Sequence, residues 1–151
     1  MSNENKVEQF LGIVAQYTKD LSFENINSIA QLQTEANEQP QIDVQIKVEI
    51  EKGIQPNIFF VSLITNIQAK LEKPMFILDL IYKGEFAIEG FPEDLMDPIL
   101  YIECPRLLFP FARSIIANAV SEGGFPPLYL APVNFAELYQ QQQGAKNQTL
   151  Q

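Results

Sequence analysis

The chain has 151 residues, 46% hydrophobic and 19% charged, which is enough for one domain around a single core. Ten Lys and Arg against 19 Asp and Glu give a net charge of −9, which argues against a nucleic-acid binder and against attachment to an anionic membrane surface. With no His and one cysteine, Cys104, there is no Ser-His-Asp triad, no Cys-His dyad, no His or thiolate zinc site and no internal disulfide, so neither metal nor cofactor is expected.

Residues 1–9 are polar and expected to be mobile, and no apolar run reaches the roughly 20 residues that span a bilayer. The first ten residues lack a signal peptide's apolar stretch, so a soluble cytoplasmic protein is expected. Residues 17–25 predict a first, edge strand, with Tyr17, Leu21 and Phe23 on one parity and Thr18, Asp20, Ser22 and Glu24 on the other. The long connection over 26–40 favours a crossover to the next strand. Residues 41–51 alternate strictly: Ile42, Val44, Ile46, Val48 and Ile50 against Gln41, Asp43, Gln45, Lys47 and Glu49, a half-buried strand. Turns at Lys52-Gly53 and Pro56-Asn57 lead to a strand over 59–71, and Glu72-Lys73-Pro74 leads to another over 75–88. In that last strand one face is Phe76, Leu78, Leu80, Tyr82, Phe86 and Ile88, and the other mixes Met75, Ile77 and Ile81 with Asp79, Lys83 and Glu85. Short connections make these neighbours antiparallel.

Beyond Gly90 the pattern turns helical. Residues 92–100 predict a turn or short helix broken at Pro98. Leu107, Leu108, Phe111, Ala112, Ile115, Ile116, Ala119 and Val120 form an apolar helical stripe, with a late start or a kink expected at Pro110. Gly123-Gly124 supplies a left-handed cap, and Asn134 with Glu137 resembles a capping box opening a short final helix. The tail over 141–151 is polar and expected to be mobile, leaving a single domain over 10–140. Strands followed by helices predict an α+β fold: a four-stranded antiparallel sheet, a long helix and a short C-terminal helix.

The candidate sites are weighed by their chemistry. Glu93, Asp94 and Asp97 are spaced for acid–base work but sit between prolines in a solvated segment with no visible source of pKa tuning. Cys104 has Arg106 nearby but no His, which favours a buried, inert thiol over a nucleophile. Gly123-Gly124 lacks the spacing of a phosphate loop. Asp20, Glu24, Asp43, Glu49 and Asp79 share the polar parity of their strands, so one sheet face is acidic: either a solubility device or a docking face for a basic partner. A strand apolar on both faces calls for a second layer, a partner chain, or apolar segments of other proteins.

Residues 101–139 resemble the SecB protein-export chaperone family. Its Cys-Pro-x-x-Leu-Phe-Pro-(Phe/Tyr)-Ala-Arg segment stands here as Cys104, Pro105, Leu108, Phe109, Pro110, Phe111, Ala112 and Arg113. A second run stands as Gly123, Phe125, Pro126, Leu128, Leu130, Pro132, Val133, Asn134 and Phe135, and residues 17–24 resemble the family's N-terminal signature. The resemblance implies a homotetramer, a dimer of dimers, that holds unfolded precursor proteins without catalysis and passes them to the SecA motor ATPase. It implies a SecA contact at Asp20, Glu24, Ile77 and Asp79, where Asp79 stands in place of a familiar Glu. Apolar client grooves are assigned to Ile42, Val44, Ile46, Phe135 and Leu138, and oligomer contacts to Phe76, Leu78 and Tyr82. Two alternatives stay open: a SecB-like chaperone or scaffold for one dedicated partner, such as a toxin–antitoxin system, and a carboxylate-using, thioesterase-like enzyme.

Overall fold

The computed structural model describes residues 8–32 and 38–149, with side chains to residue 144. The expectation of a mobile segment over 1–9 falls almost wholly outside the described residues. The elements in order are β1 (Phe10–Asn25), α1 (Ile29–Leu32), β2 (Gln41–Lys52), β3 (Ile58–Lys70), β4 (Pro74–Glu89), α2 (Glu93–Pro98), a π-helical turn (Ile99–Glu103), α3 (Cys104–Glu122) and α4 (Phe135–Thr149). The sheet is fully antiparallel in the order β1-β4-β3-β2, so the 26–40 connection crosses from one edge to the other, as its length predicts.

Helices cover one face of this sheet. Val61, Leu63 and Ile67 of β3 and Leu78, Leu80 and Phe86 of β4 are completely buried there. Against them α3 sets Leu108, Ala112, Ile116 and Val120, an i, i+4 row with at most 1% exposure. The same helix leaves Leu107 and Phe111 nearly half exposed, so the predicted stripe is split between the core and the surface. Gly84 lies directly under α3, where a Cβ would stand 2.9 Å from Leu108 Cδ2 and 2.7 Å from Phe86 Cε2. The bare backbone lets helix and sheet approach closely.

β1 departs from simple alternation. Register shifts between Ile13 and Ala15 and between Thr18 and Asp20 insert Val14 and Lys19 as extra residues. Each such bulge reverses the parity of the strand. Tyr17 therefore pairs with Lys83 on the outer face, whereas Leu21 and Phe23 pair with Leu80 and Leu78 on the helix side. Phe23 then stacks on Phe76 (centroids 5.3 Å apart), which packs on Phe125 at 5.1 Å.

The helical region is more continuous than its prolines suggest. Pro98, Ile99, Glu103 and Cys104 all keep right-handed helical dihedrals, so α2, the π turn and α3 run on without a break. Cys104 N–H bonds the Ile99 carbonyl five residues back. The wider π turn lies between Pro98 and Pro105, neither of which can donate to the ordinary ladder. Pro110 sits on the exposed side of α3, where solvent can satisfy the carbonyl it leaves unpaired. At the far end Gly124 has φ +96°, Gly124 N–H bonds the Ser121 carbonyl and Phe125 N–H bonds that of Val120, a Schellman cap. Asn134 Oδ1 accepts from Glu137 N–H at 3.1 Å and opens α4. That helix continues through Thr149, into the polar segment expected to lie beyond it, because Gln, Ala and Lys are good helix formers.

Cys104 is fully buried, and its thiol is pushed up from 9.0 to about 12, by burial first and by the nearby Glu103 carboxylate second. A thiol reagent at pH 8 is expected to leave the native protein unmodified and to react fully in denaturant. Rapid modification of the native chain would contradict the burial. The raised value also fixes a sign: the protonated thiol's contribution to stability is complete below about pH 9 and is lost as the pH rises through 12.

Candidate functional site

Two surfaces stand out, on opposite sides of the same sheet. The even residues of β2 turn toward the helices, but α3 stops short of this edge, so Ile42 and Val44 remain 37% and 39% exposed. Opposite them runs the extended segment 126–134. Arg113 of α3 anchors it by donating Nε–H to the Leu130 carbonyl at 2.8 Å, and its guanidinium lies 5.6 Å from the Tyr129 ring centre. Between strand and segment are two hollows, one strand step apart. One, of about 230 Å³, is lined by Ile42 with Met75, Phe76, Pro127 and Leu128. The other, of about 290 Å³, is lined by Val44, Ile46, Val133, Glu137, Leu138 and Gln141. Together they form a shallow apolar groove along β2.

Ile42, Val44, Ile46 and Leu138 thus converge as expected from the sequence. Phe135 does not line the groove. It is 3% exposed and packs edge-on against Phe109 at 5.9 Å, because it is the first residue of α4 and points back toward α3. Pro127, Leu128 and Val133 line the groove instead, and nothing in their spacing distinguishes them from an ordinary Pro-punctuated loop.

The outer face of the sheet carries no helix among the described residues. Its rows follow from the pairing: Glu24–Ile77–Gln68–Asp43, then Ser22–Asp79–Asn66–Gln45, then Asp20–Ile81–Ile64–Lys47. Asp20, Glu24, Asp43, Glu49 and Asp79 all lie on this face, so the parities align as predicted. Glu24 and Ile77 are directly opposite, and Asp79 and Asp20 lie in the next two rows. Asp79 accepts a hydrogen bond from Asn66 Nδ2 at 2.6 Å, which fixes its carboxylate on the surface. Lys47 and Lys83 are held by Glu49 and Glu51 at 3.4 and 3.6 Å, while Asp20, Glu24 and Asp79 take part in no ion pair among the described residues. Ile77 and Ile81 are half-buried beside their cross-strand neighbours, and among the described residues no second layer of the kind a two-sided apolar strand suggests covers them.

The other assigned positions fall elsewhere. Phe76, Leu78 and Tyr82, assigned to oligomer contacts, lie in the chain's own core, Leu78 with no exposure at all. The Tyr82 ring does stack on Phe111 at 6.2 Å, and Phe111 is 47% exposed. Glu93, Asp94 and Asp97 are exposed. No group of three metal-capable side chains occurs among the described residues, and no described helix is long and apolar enough to cross a membrane.

The family model described as preprotein translocase subunit SecB matches residues 4–146. The protein-export protein SecB of Bradyrhizobium diazoefficiens is 49% identical over 134 residues, covering 87% of this chain and 81% of that protein. The protein of the same name from Zymomonas mobilis is 46% identical over 136 residues, covering 87% and 79%. Among solved structures, a SecB-like chaperone of Mycobacterium tuberculosis, in complex with a ChAD peptide from an antitoxin, superposes with a TM-score of 0.67. Its sequence identity is 12%, over 82% of this chain and 90% of that one, a likeness of fold.

Proposed function

The chain belongs to the SecB family, and on that premise we propose that it is an ATP-independent holdase that binds unfolded precursor proteins, keeps them competent for export and delivers them to the SecA motor ATPase. The family is one of chaperones and not of enzymes, which suits a chain without His. One observation carries the reading: the apolar groove and the acidic face lie on opposite sides of one sheet. Even residues of β2 line the groove, and odd ones such as Asp43 face the other way. A client in the groove leaves the acidic face open to a basic partner, so holding and delivery do not compete.

The groove suits unfolded chains. It is shallow, and Ile, Val, Leu and Pro line most of it, with Glu137 and Gln141 at the α4 end, so it accepts many sequences at modest affinity. A homotetramer, as a dimer of dimers, gathers several grooves around one client, and linked weak contacts then give avidity. Two features support self-association. β1 is a sheet edge with Ile13 and Leu21 near 40% exposed, and α3 shows Leu107 and Phe111 on its outer side. The protein works, in this reading, in the cytoplasm.

The test is refolding of a slow-folding exported precursor with increasing amounts of the protein, without nucleotide, with light scattering to report the mass of any complex. Arrested refolding with a tetramer-sized complex is expected. Unhindered refolding beside a monomeric chain would end the holdase reading. Clients isolated from cells should be many; a single dominant one would favour the dedicated-partner reading. In the same assay Val44→Asp is expected to weaken client binding about tenfold, since it sets a charge in the groove floor. Val44 is already 39% exposed, so folding should survive.

A further inference from the structure

β2 forms one edge of the sheet, and among the described residues α4 hydrogen-bonds that edge at a single residue. Val48 donates its N–H to Gln142 Oε1 at 3.2 Å, and Gln142 Nε2 donates to the Val48 carbonyl at 3.4 Å. One side-chain carboxamide thus supplies the acceptor and the donor that a neighbouring strand's peptide groups would supply. Backbone groups repeat along a strand with period two, so the N–H and C=O of Ile42, Val44 and Ile46 point out from the same edge as those of Val48. Among the described residues no backbone group outside the strand ladder bonds to them. The side chains of Ile42, Val44 and Ile46 line the groove. Edge and groove together fit an extended polypeptide, through its main chain and its alternate side chains.

We infer that Gln142 is a stand-in for a client strand: its carboxamide holds the Val48 peptide group, and an extended client segment displaces it to pair along β2 beyond Ile46. The inference rests on the holdase reading and adds to it a residue that sets how much client main chain docks. With Gln142 in place, strand addition is confined to Gln41–Ile46; with Gln142 displaced, it extends past Val48. Two neutral hydrogen bonds are weak enough to be exchanged for the client's own, so the contact competes without closing the groove. Three residues before Gln142 on the same face of α4, Tyr139 stacks on Tyr101 at 5.2 Å, and this separate contact keeps the helix docked when the amide lets go.

The experiment titrates a fluorescently labelled unfolded precursor against the full chain and reads amide exchange at Val48 in the same samples. Gln142→Ala is expected to bind the client three- to tenfold more tightly, the equivalent of losing the competing pair of bonds. Its Val48 amide should exchange faster in the free variant and be protected again with client. Gln142→Glu keeps an acceptor for the Val48 N–H but offers no donor to the Val48 carbonyl, and should bind client with an affinity between those of the parent and Gln142→Ala. Faster Val48 exchange in Gln142→Ala with unchanged client affinity in both variants would overturn the competition. Unchanged exchange would overturn the contact itself. Failure of the parent chain to hold client would overturn the holdase reading, and this inference with it, and is separately visible in the parent titration.

Discussion

Asp20→Lys together with Asp79→Lys is expected to weaken binding to the motor ATPase by about 30- to 1000-fold at low ionic strength, roughly 2–4 kcal/mol, while client holding stays unchanged. The two carboxylates sit in adjacent rows of the outer face, and Glu24 with Ile77 forms the next row. The four therefore make one continuous patch, with apolar Ile77 beside Glu24 at one end and no cation paired to it among the described residues. Reversal replaces two attractions with two repulsions and slows encounter more than it speeds escape. The loss should shrink as salt approaches 1 M, where the Debye length falls to about 3 Å. Structure should tolerate the change. Asp20 is exposed, and the bond from Asn66 to Asp79 is a surface one whose loss costs about 1 kcal/mol or less. Surface plasmon resonance against the motor and the refolding assay against client, on the same preparation, separate the two functions. Comparable loss in both would mean that one surface serves both partners.

Much of this arrangement is legible in the residues. The strict alternation of β2 fixes both of its faces at once: Ile42, Val44 and Ile46 toward the groove, Asp43 and Glu49 away from it. The acidic face follows from parity in β3 and β4 for the same reason, since a period of two leaves no intermediate orientation. β1 is harder, because Val14 and Lys19 are bulged residues that reverse the parity, and no feature of the sequence marks them. Tyr17 is accordingly assigned to the wrong side of its strand by alternation alone, while Asp20 and Glu24, beyond the second bulge, are assigned correctly. The helix over 93–122 is also hidden: Pro98 and Pro110 suggest breaks, but a π turn follows Pro98 and the helix continues. Gln142 lies in a run of four glutamines, Gln140–Gln143, and only the packing of α4 on β2 singles out the one that reaches Val48.

Leu78→Ala is expected to cost about 2–5 kcal/mol of stability, a fall of roughly 5–15 °C in Tm, and to do so through the core of the protomer and not through assembly. Leu78 is wholly buried on the helix-facing side of β4, paired with Phe23 and Ile67 across the sheet. Truncation leaves a cavity between sheet and helix that neighbours on three elements cannot collapse to fill. A second variant separates this from a contact between chains. Phe111 lies at the surface of α3, 47% exposed, its ring stacked on Tyr82 beneath it. Phe111→Asp should lower the stability of the isolated fold little, yet shift the proposed tetramer toward smaller species at micromolar concentration. The difference in Tm between Leu78→Ala and the parent should stay constant as protein concentration is raised, whereas that of Phe111→Asp should change with it, because only the latter is linked to association by mass action. If the two behaved in the opposite way, Leu78 would have to reach a second chain, which requires β4 and α3 to separate. The oligomer would then form by opening the core, not by docking preformed surfaces.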